Sequence, residues 1–129
     1  MSSLVSVGAQ PFVLPAPLWL VGAYDEKRRP DVMAAALGGL CCALPPCLAI
    51  SVRRTAWTWK ALRARGAFTV SVPSRDLAAR ADFAGLVSGE TEDKFPALGL
   101  TPVPGDHVDA PYVGECPAVL ELAVRHTLD

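Results

Sequence analysis

The sequence predicts a small, mainly β domain, a β-barrel with short helices. Half of its 129 residues are hydrophobic (51%) and 19% are charged, a composition typical of chains that fold around a core. Twelve prolines and ten glycines lie scattered between short apolar runs, which favours many short strands. Strand and helix patterns do not alternate regularly, as they would in a doubly wound sheet. A chain of this length predicts a single domain over residues 1–129.

The first two strands are predicted as a hairpin. Residues 18–23 form a short apolar run, residues 24–31 a polar, solvent-facing turn, and residues 32–36 the returning strand. Another strand is predicted over residues 47–53, because apolar and polar side chains alternate there. One face of this strand is apolar and the opposite face ends in the guanidinium of Arg53.

A helix and a strand follow. Residues 55–65 have helical composition, with Trp57 and Ala61 on one apolar stripe, and Gly66 is placed to end the helix. Residues 67–72 alternate between apolar and hydroxyl side chains, which predicts the next strand. The helix and the strand are therefore joined by one glycine.

The C-terminal half predicts one more helix and one more strand. The helix spans residues 75 to about 87, with Ser74 as its N-cap and Ser88-Gly89 as its end. The last strand covers residues 118–128, where His126 shares the apolar face and is expected to be a core or interface residue.

Charge and cysteine usage exclude several classes of protein. The formal net charge is −1, so no overall field attracts nucleic acid or an acidic membrane. The four cysteines lack the spacing of a disulfide framework or of a structural zinc site. We expect them to be buried, unreactive thiols of a cytoplasmic protein. The N-terminal stretch also lacks the uninterrupted apolar core of a secretory signal, because prolines divide it.

One uncharged segment, residues 32–52, is long enough for a transmembrane helix. Pro45-Pro46 would remove two backbone donors from its interior, and Gly38-Gly39 would weaken it further. The sequence therefore predicts no membrane span.

Hydroxyls and guanidinium groups cluster where the predicted strand at residues 47–53 leads into the helix. Ser51, Arg53, Arg54, Thr55 and Thr58 lie within eight residues and could converge on a phosphate. The alternative is an ordinary solvated strand end beside an amphipathic helix. No glycine fingerprint of a Rossmann unit, no Walker A sequence and no nucleophile elbow is present.

Four segments in order resemble one known family. They are PDVMAAALGGLCCALPPCLAISVR (residues 30–53), WTWKALRARGAFTVSVPS (57–74), DFAGLVSGETEDKF (82–95) and VDAPYVGECPAVLE (108–121). Together they resemble the flavin reductase-like proteins of the FMN-binding split barrel, most closely the flavoredoxin type. The resemblance implies a Greek-key barrel that forms a homodimer, with FMN near the dimer interface. Family members continue beyond the last strand, so the fold is expected to be incomplete at the C-terminus.

The resemblance assigns cofactor-binding positions residue by residue. Small residues would bring backbone groups along the edge of the isoalloxazine ring. Polar and basic residues would hold the ribityl chain and phosphate, and a further hydroxyl and cation would act beside them. The positions at the ring are Met33, Ala34, Ala35 and Ala36. Those at the ribityl chain and phosphate are Ser51, Val52, Arg53, Arg54 and Thr58, and Ser88 and Lys94 are the further hydroxyl and cation.

The resemblance implies an FMN-binding oxidoreductase that passes hydride from NADH or NADPH to the flavin and on to an acceptor. The cofactor carries this chemistry, so no catalytic residue and no metal are predicted. An electron carrier with a redox protein partner is the alternative. A remnant without cofactor binding is a third hypothesis, because Leu37 stands where the family has tryptophan and Lys60-Ala61 where it has Gly-Asn.

Overall fold

The computed structural model describes residues 3–11 and 14–129, which form three antiparallel sheets and three α-helices. A 3₁₀ turn at Arg75–Leu77 leads into the second helix. The elements in chain order are β1 (Trp19–Tyr24), β2 (Pro30–Ala35), β3 (Gly38–Ala43), β4 (Pro46–Ile50), α1 (Trp57–Arg65), β5 (Ala67–Val72), α2 (Ala78–Leu86), α3 (Lys94–Leu98), β6 (Pro102–Pro104), β7 (Pro111–Val113) and β8 (Ala118–Ala123).

The main sheet has four strands in the order β2, β1, β5, β8, and all neighbouring pairs are antiparallel. The pairs β3–β4 and β6–β7 form separate two-stranded sheets. The predicted first hairpin is confirmed, with Trp19 opposite Ala35 and Tyr24 opposite Pro30. The mainly β prediction is therefore correct, and the strands outnumber those recognised in the sequence.

Both faces of the main sheet are covered. Consecutive side chains of a strand point to opposite faces, and neighbouring β1 residues accordingly belong to different cores. Leu20 packs with Val32 and with residues of α2 and α3, whereas Val21 packs with Val70 and with residues of β4. This two-sided burial explains why β1 is almost continuously apolar.

Two hydroxyl groups of β5 form hydrogen bonds that hold the β6–β7 hairpin against the main sheet. The Thr69 hydroxyl donates to the carbonyl of Pro111 at 2.5 Å, and the Val113 N–H donates to the Ser71 hydroxyl at 3.1 Å. Both hydroxyl side chains are fully buried. The backbone of the hairpin comes so close to β1 that a Cβ atom at Gly22 would collide with the Pro111 carbonyl oxygen.

Helix α1 forms close to its predicted position. Trp57 and Ala61 are buried against Ala23 of β1, as their common stripe predicts. Gly66 ends the helix with φ 65°, and its N–H donates to the carbonyl of Leu62 at 2.8 Å. This left-handed conformation favours glycine.

Several elements differ from the prediction. Strand β8 ends at Ala123 rather than at residue 128, because Ala123 lies opposite Ala67, where its partner β5 begins. His126 is consequently exposed beyond the strand and does not belong to the core. Ser74 precedes the 3₁₀ turn, but its side chain makes no capping hydrogen bond. The turn is closed instead by the Leu77 N–H, which donates to the Ser74 carbonyl at 3.0 Å.

The cysteine prediction is confirmed in part. All four thiols are free, but Cys41 and Cys42 are exposed in β3, where burial is expected from the sequence. Strand β3 is exposed along almost its whole length, whereas its partner β4 packs against the core, and a register shift at Leu40/Cys42 interrupts the alternation of side chains. Cys116 is half-buried against the core cluster, and burial raises the pKa of its thiol to about 11.

Residues 32–52 form strands rather than a helix. Among residues 3–11 and 14–129, no helix has the length and apolar character needed to cross a membrane. The N-terminal stretch, for which no secretory signal is predicted, includes residues 1–2 and 12–13, which lie outside the described residues.

Candidate functional site

A cavity of about 430 Å³ lies between strand β2, the segment that follows β4, the start of α1 and the end of α2. Its volume falls within the range of small-molecule sites. It is lined by Asp31, Met33, Ala34, Ala35, Ala36, Leu37, Ser51, Arg53, Thr55, Ala56, Trp57, Thr58, Ala84, Gly85, Leu86, Val87, Ser88, Gly89 and Lys94.

The segment after β4 is held against the end of β2. The Ser51 N–H donates to the Leu37 carbonyl at 2.8 Å, and the Ala56 N–H donates to the Arg53 carbonyl at 2.9 Å. These two bonds direct the chain from the edge of the β3–β4 hairpin to the first turn of α1. One wall of the cavity is thereby formed from residues that are close in sequence.

The first turn of α1 provides an anion-binding end. Ala56 occupies the N-cap position, no side chain caps the helix, and its first turn has no acidic residue. Free backbone N–H groups and the helix dipole favour a negative charge at such a position. Arg53 adds an exposed guanidinium, and Thr58, buried at 3% exposure, adds a hydroxyl.

Part of the opposite wall is built from small residues. Helix α2 packs against β2 so closely that a Cβ atom at Gly85 would lie 3.1 Å from the Cβ of Ala34. Ala84 is fully buried at the same contact. The small residues at this contact leave room beside β2 for a flat ligand, and the larger side chains of Met33, Leu86 and Val87 line the cavity around them.

A buried ion pair lies in the wall of the cavity. The Lys94 ammonium lies 3.6 Å from a carboxylate oxygen of Asp31, and the two side chains are 3% and 4% exposed. Lys94 also donates to the carbonyls of Val32 (2.8 Å) and Ala84 (3.2 Å). Burial raises the pKa of Asp31, and the positive charge of Lys94 opposes the rise. Burial likewise lowers the pKa of Lys94.

The structure brings together most of the predicted cofactor positions, since all of them except Val52 and Arg54 line this cavity. Arg54 is exposed and forms an ion pair with Asp129 at 3.5 Å. Lys94 lines the cavity, but its ammonium is already bound to two carbonyls and paired with Asp31. Thr55, from the hydroxyl and guanidinium cluster, also lines it.

Other residues that line the cavity were not predicted as site residues from the sequence pattern. The sequence pattern places Asp31 in the solvent-facing turn, whereas it is buried in β2. The pattern marks Trp57 only as a core residue. The Ala84-Gly85 pair carries a usable signal, because a glycine inside a helix costs stability and often marks a close contact. Nothing in the sequence pattern pairs Asp31 with Lys94, which is 63 residues away in the chain.

A second cavity of about 440 Å³ lies beside the first and shares Trp57 with it. Two of its cations are already paired: Arg29 binds Asp25 at 3.2 Å, and Lys60 binds Glu90. The hydrogen bond from Lys60 lowers the pKa of the Glu90 carboxyl. This second cavity therefore offers fewer free binding groups than the first.

The family model described as "Flavin reductase like domain" matches residues 2–129. The chain belongs to this family. The curated relatives include an uncharacterized Escherichia coli (strain K12) protein, YddH, 34% identical over 107 residues, which are 81% of this chain and 57% of that protein. The chain thus spans less than two thirds of the length of this curated relative.

Solved structures confirm the fold of the family. Flavoredoxin of Desulfovibrio vulgaris (Miyazaki F) is 53% identical with a TM-score of 0.96, and the match covers 98% of this chain and 69% of that one. Flavoredoxin from Methanosarcina acetivorans is 30% identical with a TM-score of 0.89, covering 99% and 67%. The chain therefore has the FMN-binding split barrel fold of flavin reductase-like proteins.

Proposed function

We propose that this chain binds FMN in the cavity beside β2 and acts as an oxidoreductase of the flavin reductase-like family. The proposal rests on one observation: the same cavity contains the first turn of α1, which suits an anion, and the small residues where α2 meets β2. FMN has the matching shape, a phosphate at one end and a flat ring at the other. A solved relative from Shewanella baltica OS155, 25% identical, is described as an FMN-binding domain.

The residues present suit the two ends of FMN. The first turn of α1, with Ser51, Arg53 and Thr58, would hold the phosphate. The backbone edge of Met33 to Ala36 would lie along the ring, where alanine side chains leave room. When bound, FMN supplies hydride transfer, with NADH or NADPH as the proposed donor. The protein's part would be to position the flavin.

Replacing Arg53 with alanine is expected to weaken FMN binding about tenfold, the low end for a charge-assisted hydrogen bond, because Arg53 is exposed. Riboflavin, which lacks the phosphate, should bind almost equally to both proteins. Arg54→Ala is the matched control, since Arg54 lies outside the cavity. Titrations followed by flavin fluorescence give the dissociation constants of FMN and riboflavin for the unmodified chain and for both variants. Equal losses for FMN and riboflavin, or equal losses in the two variants, would contradict the phosphate assignment.

The oxidoreductase proposal is tested on the protein with bound FMN. The chain is mixed with FMN, separated from free ligand by gel filtration, and treated anaerobically with NADH or NADPH. Bleaching of the visible flavin spectrum supports the reductase. Retained flavin that stays oxidised supports the second candidate, an electron carrier of the flavoredoxin type, which the two flavoredoxin neighbours favour. A colourless protein peak would contradict both.

We also propose that the chain forms a homodimer through the β3–β4 hairpin. This hairpin forms a separate two-stranded sheet, and Leu37, Leu40 and Leu44 are each more than half exposed on it or beside it. Several exposed apolar side chains on one surface element support an interaction surface there. Sedimentation equilibrium should give twice the mass of one chain. A monomer mass at micromolar concentration would contradict the proposal.

A further inference from the structure

Two cysteines face each other across the β3–β4 hairpin. Cys42 of β3 and Cys47 of β4 are opposite each other in register, and both thiols are free. Side chains opposite each other in an antiparallel pair share one face, with Cβ atoms about 4.5–5.5 Å apart. A disulfide requires Cα atoms within about 7 Å and Cβ atoms about 3.5–4.5 Å apart. The hairpin backbone therefore already holds the two cysteines close to the separation that a disulfide requires.

The two thiols are also accessible to a dissolved oxidant. Cys42 is exposed and Cys47 is half-buried. The Cys42 thiol donates one weak hydrogen bond, to the Leu44 carbonyl at 3.5 Å, so little opposes rotation of this side chain toward Cys47. Cys116 differs, because it packs against the core cluster and burial raises the pKa of its thiol to about 11. The thiolate is the reactive form, so Cys116 should react more slowly.

A third cysteine lies beside this pair. Leu40 is opposite Leu48 and Cys42 is opposite Cys47, so Cys41 is the extra residue of a β-bulge. Its thiol donates to the Cys47 carbonyl at 3.4 Å. A disulfide between Cys41 and Cys42 is unfavourable, because consecutive Cα atoms are only about 3.8 Å apart. The register favours Cys42 over Cys41 as the partner of Cys47.

We propose that Cys42 and Cys47 form a reversible disulfide within one chain by exchange with a low-molecular-weight disulfide such as glutathione disulfide. The Cys42 thiolate attacks one sulfur of the oxidant, which forms a mixed disulfide and releases one thiolate. The Cys47 thiolate then attacks the Cys42 sulfur and releases the second. Two protein thiols are oxidised, the oxidant is reduced to two thiols, and the protons of the protein thiols pass to the released thiolates.

The disulfide closes the turn end of the hairpin with a covalent bond. The other end is already closed beside the cavity, where the Ser51 N–H donates to the Leu37 carbonyl at 2.8 Å. Disulfides in a reducing compartment are usually transient and respond to the redox state, so the hairpin would be linked only under oxidising conditions. This inference depends neither on flavin binding nor on dimer formation.

Cys41→Ser tests the pairing, because it removes the competing thiol and keeps both partners. The variant is equilibrated with reduced and oxidised glutathione, and its remaining thiols are alkylated and counted by mass spectrometry. We expect two thiols to be lost together, a cross-linked peptide that joins Cys42 to Cys47, and a reduced Cys116. A variant that keeps every thiol, carries only mixed disulfides with glutathione, or forms disulfide-linked dimers on a non-reducing gel overturns the proposal.

Cys42→Ser is the matched variant, since it leaves Cys41 as the one neighbour able to react with Cys47. At the glutathione ratio that oxidises half of Cys41→Ser, we expect at least about tenfold less intrachain disulfide in Cys42→Ser. Equal oxidation of the two variants overturns the assignment. Circular dichroism checks that both fold. If Cys42→Ser does not fold, tandem mass spectrometry of the oxidised unmodified chain decides: a Cys42–Cys47 link supports the proposal, and a Cys41–Cys47 link overturns it.

Discussion

Replacing Lys94 with methionine is expected to lower the free energy of unfolding by about 3–5 kcal/mol, because it leaves the Asp31 carboxylate buried without its counter-charge. The two side chains are almost completely shielded from water. Arg29 is the next positive charge that acts on Asp31, and it is exposed and paired with Asp25. Urea denaturation of the variant and the unmodified chain measures the loss.

The pH dependence gives this prediction a distinctive signature. Burial raises the pKa of Asp31 and Lys94 opposes the rise, so the pKa should rise further in Lys94→Met. A carboxyl whose folded pKa exceeds its unfolded pKa contributes stability below the unfolded value, and this contribution is lost as pH rises through the folded pKa. The deficit of the variant should therefore shrink as the pH falls from neutral towards the ordinary pKa of an aspartate. A deficit independent of pH would contradict the account.

Asp31→Asn with Lys94→Met is the matched control for stability. It removes both charges together, so no uncompensated ion stays buried. We expect it to recover most of the stability that Lys94→Met loses. A double variant as unstable as the single one would show that the aliphatic chain of Lys94, rather than its charge, stabilises this contact.

Gly22→Ala is expected to lower the free energy of unfolding by about 3 kcal/mol or more. The added Cβ would collide with the Pro111 carbonyl oxygen and would lie 2.7 Å from the Thr69 hydroxyl. Because the nearest atom belongs to the backbone, a side-chain rotation cannot relieve the collision. The β6–β7 hairpin must move away from the sheet, and the hydrogen bond from Thr69 is lost with it.

Gly39→Ala is the control for this substitution. Gly39 also lies in a strand, but a Cβ there meets no atom within 4 Å. Its effect on the free energy of unfolding should stay within about 0.5 kcal/mol. Thermal denaturation of both variants compares them, and equal melting temperatures would contradict the close approach at Gly22.

The parts of the fold that follow from local pattern could be predicted. The β1–β2 hairpin, α1 with its Gly66 end, and β5 each carry a periodicity or a stop residue that acts within a few residues. The β6–β7 hairpin could not be predicted, because its strands are three residues long and rich in proline. Their position depends on hydroxyl groups of β5 about 42 residues away.

The same distinction applies to the candidate site. Ser51, Arg53 and Thr58 are neighbours in sequence, so the sequence alone reveals their polar clustering. Asp31 and Lys94 come from different segments, and their burial depends on how α2 and α3 pack against β2. The sequence pattern predicts Asp31 in a turn, since an acid beside a charged run is usually solvated.

Binding of FMN in the cavity beside β2 is tested by titrating the purified chain with FMN and with riboflavin and following flavin fluorescence. We expect saturable binding of one flavin per chain, with FMN bound more than tenfold more tightly than riboflavin, because the start of α1 adds to the roughly tenfold contribution of Arg53 at its phosphate. Absence of saturable FMN binding, or equal affinity for both flavins, would contradict this expectation.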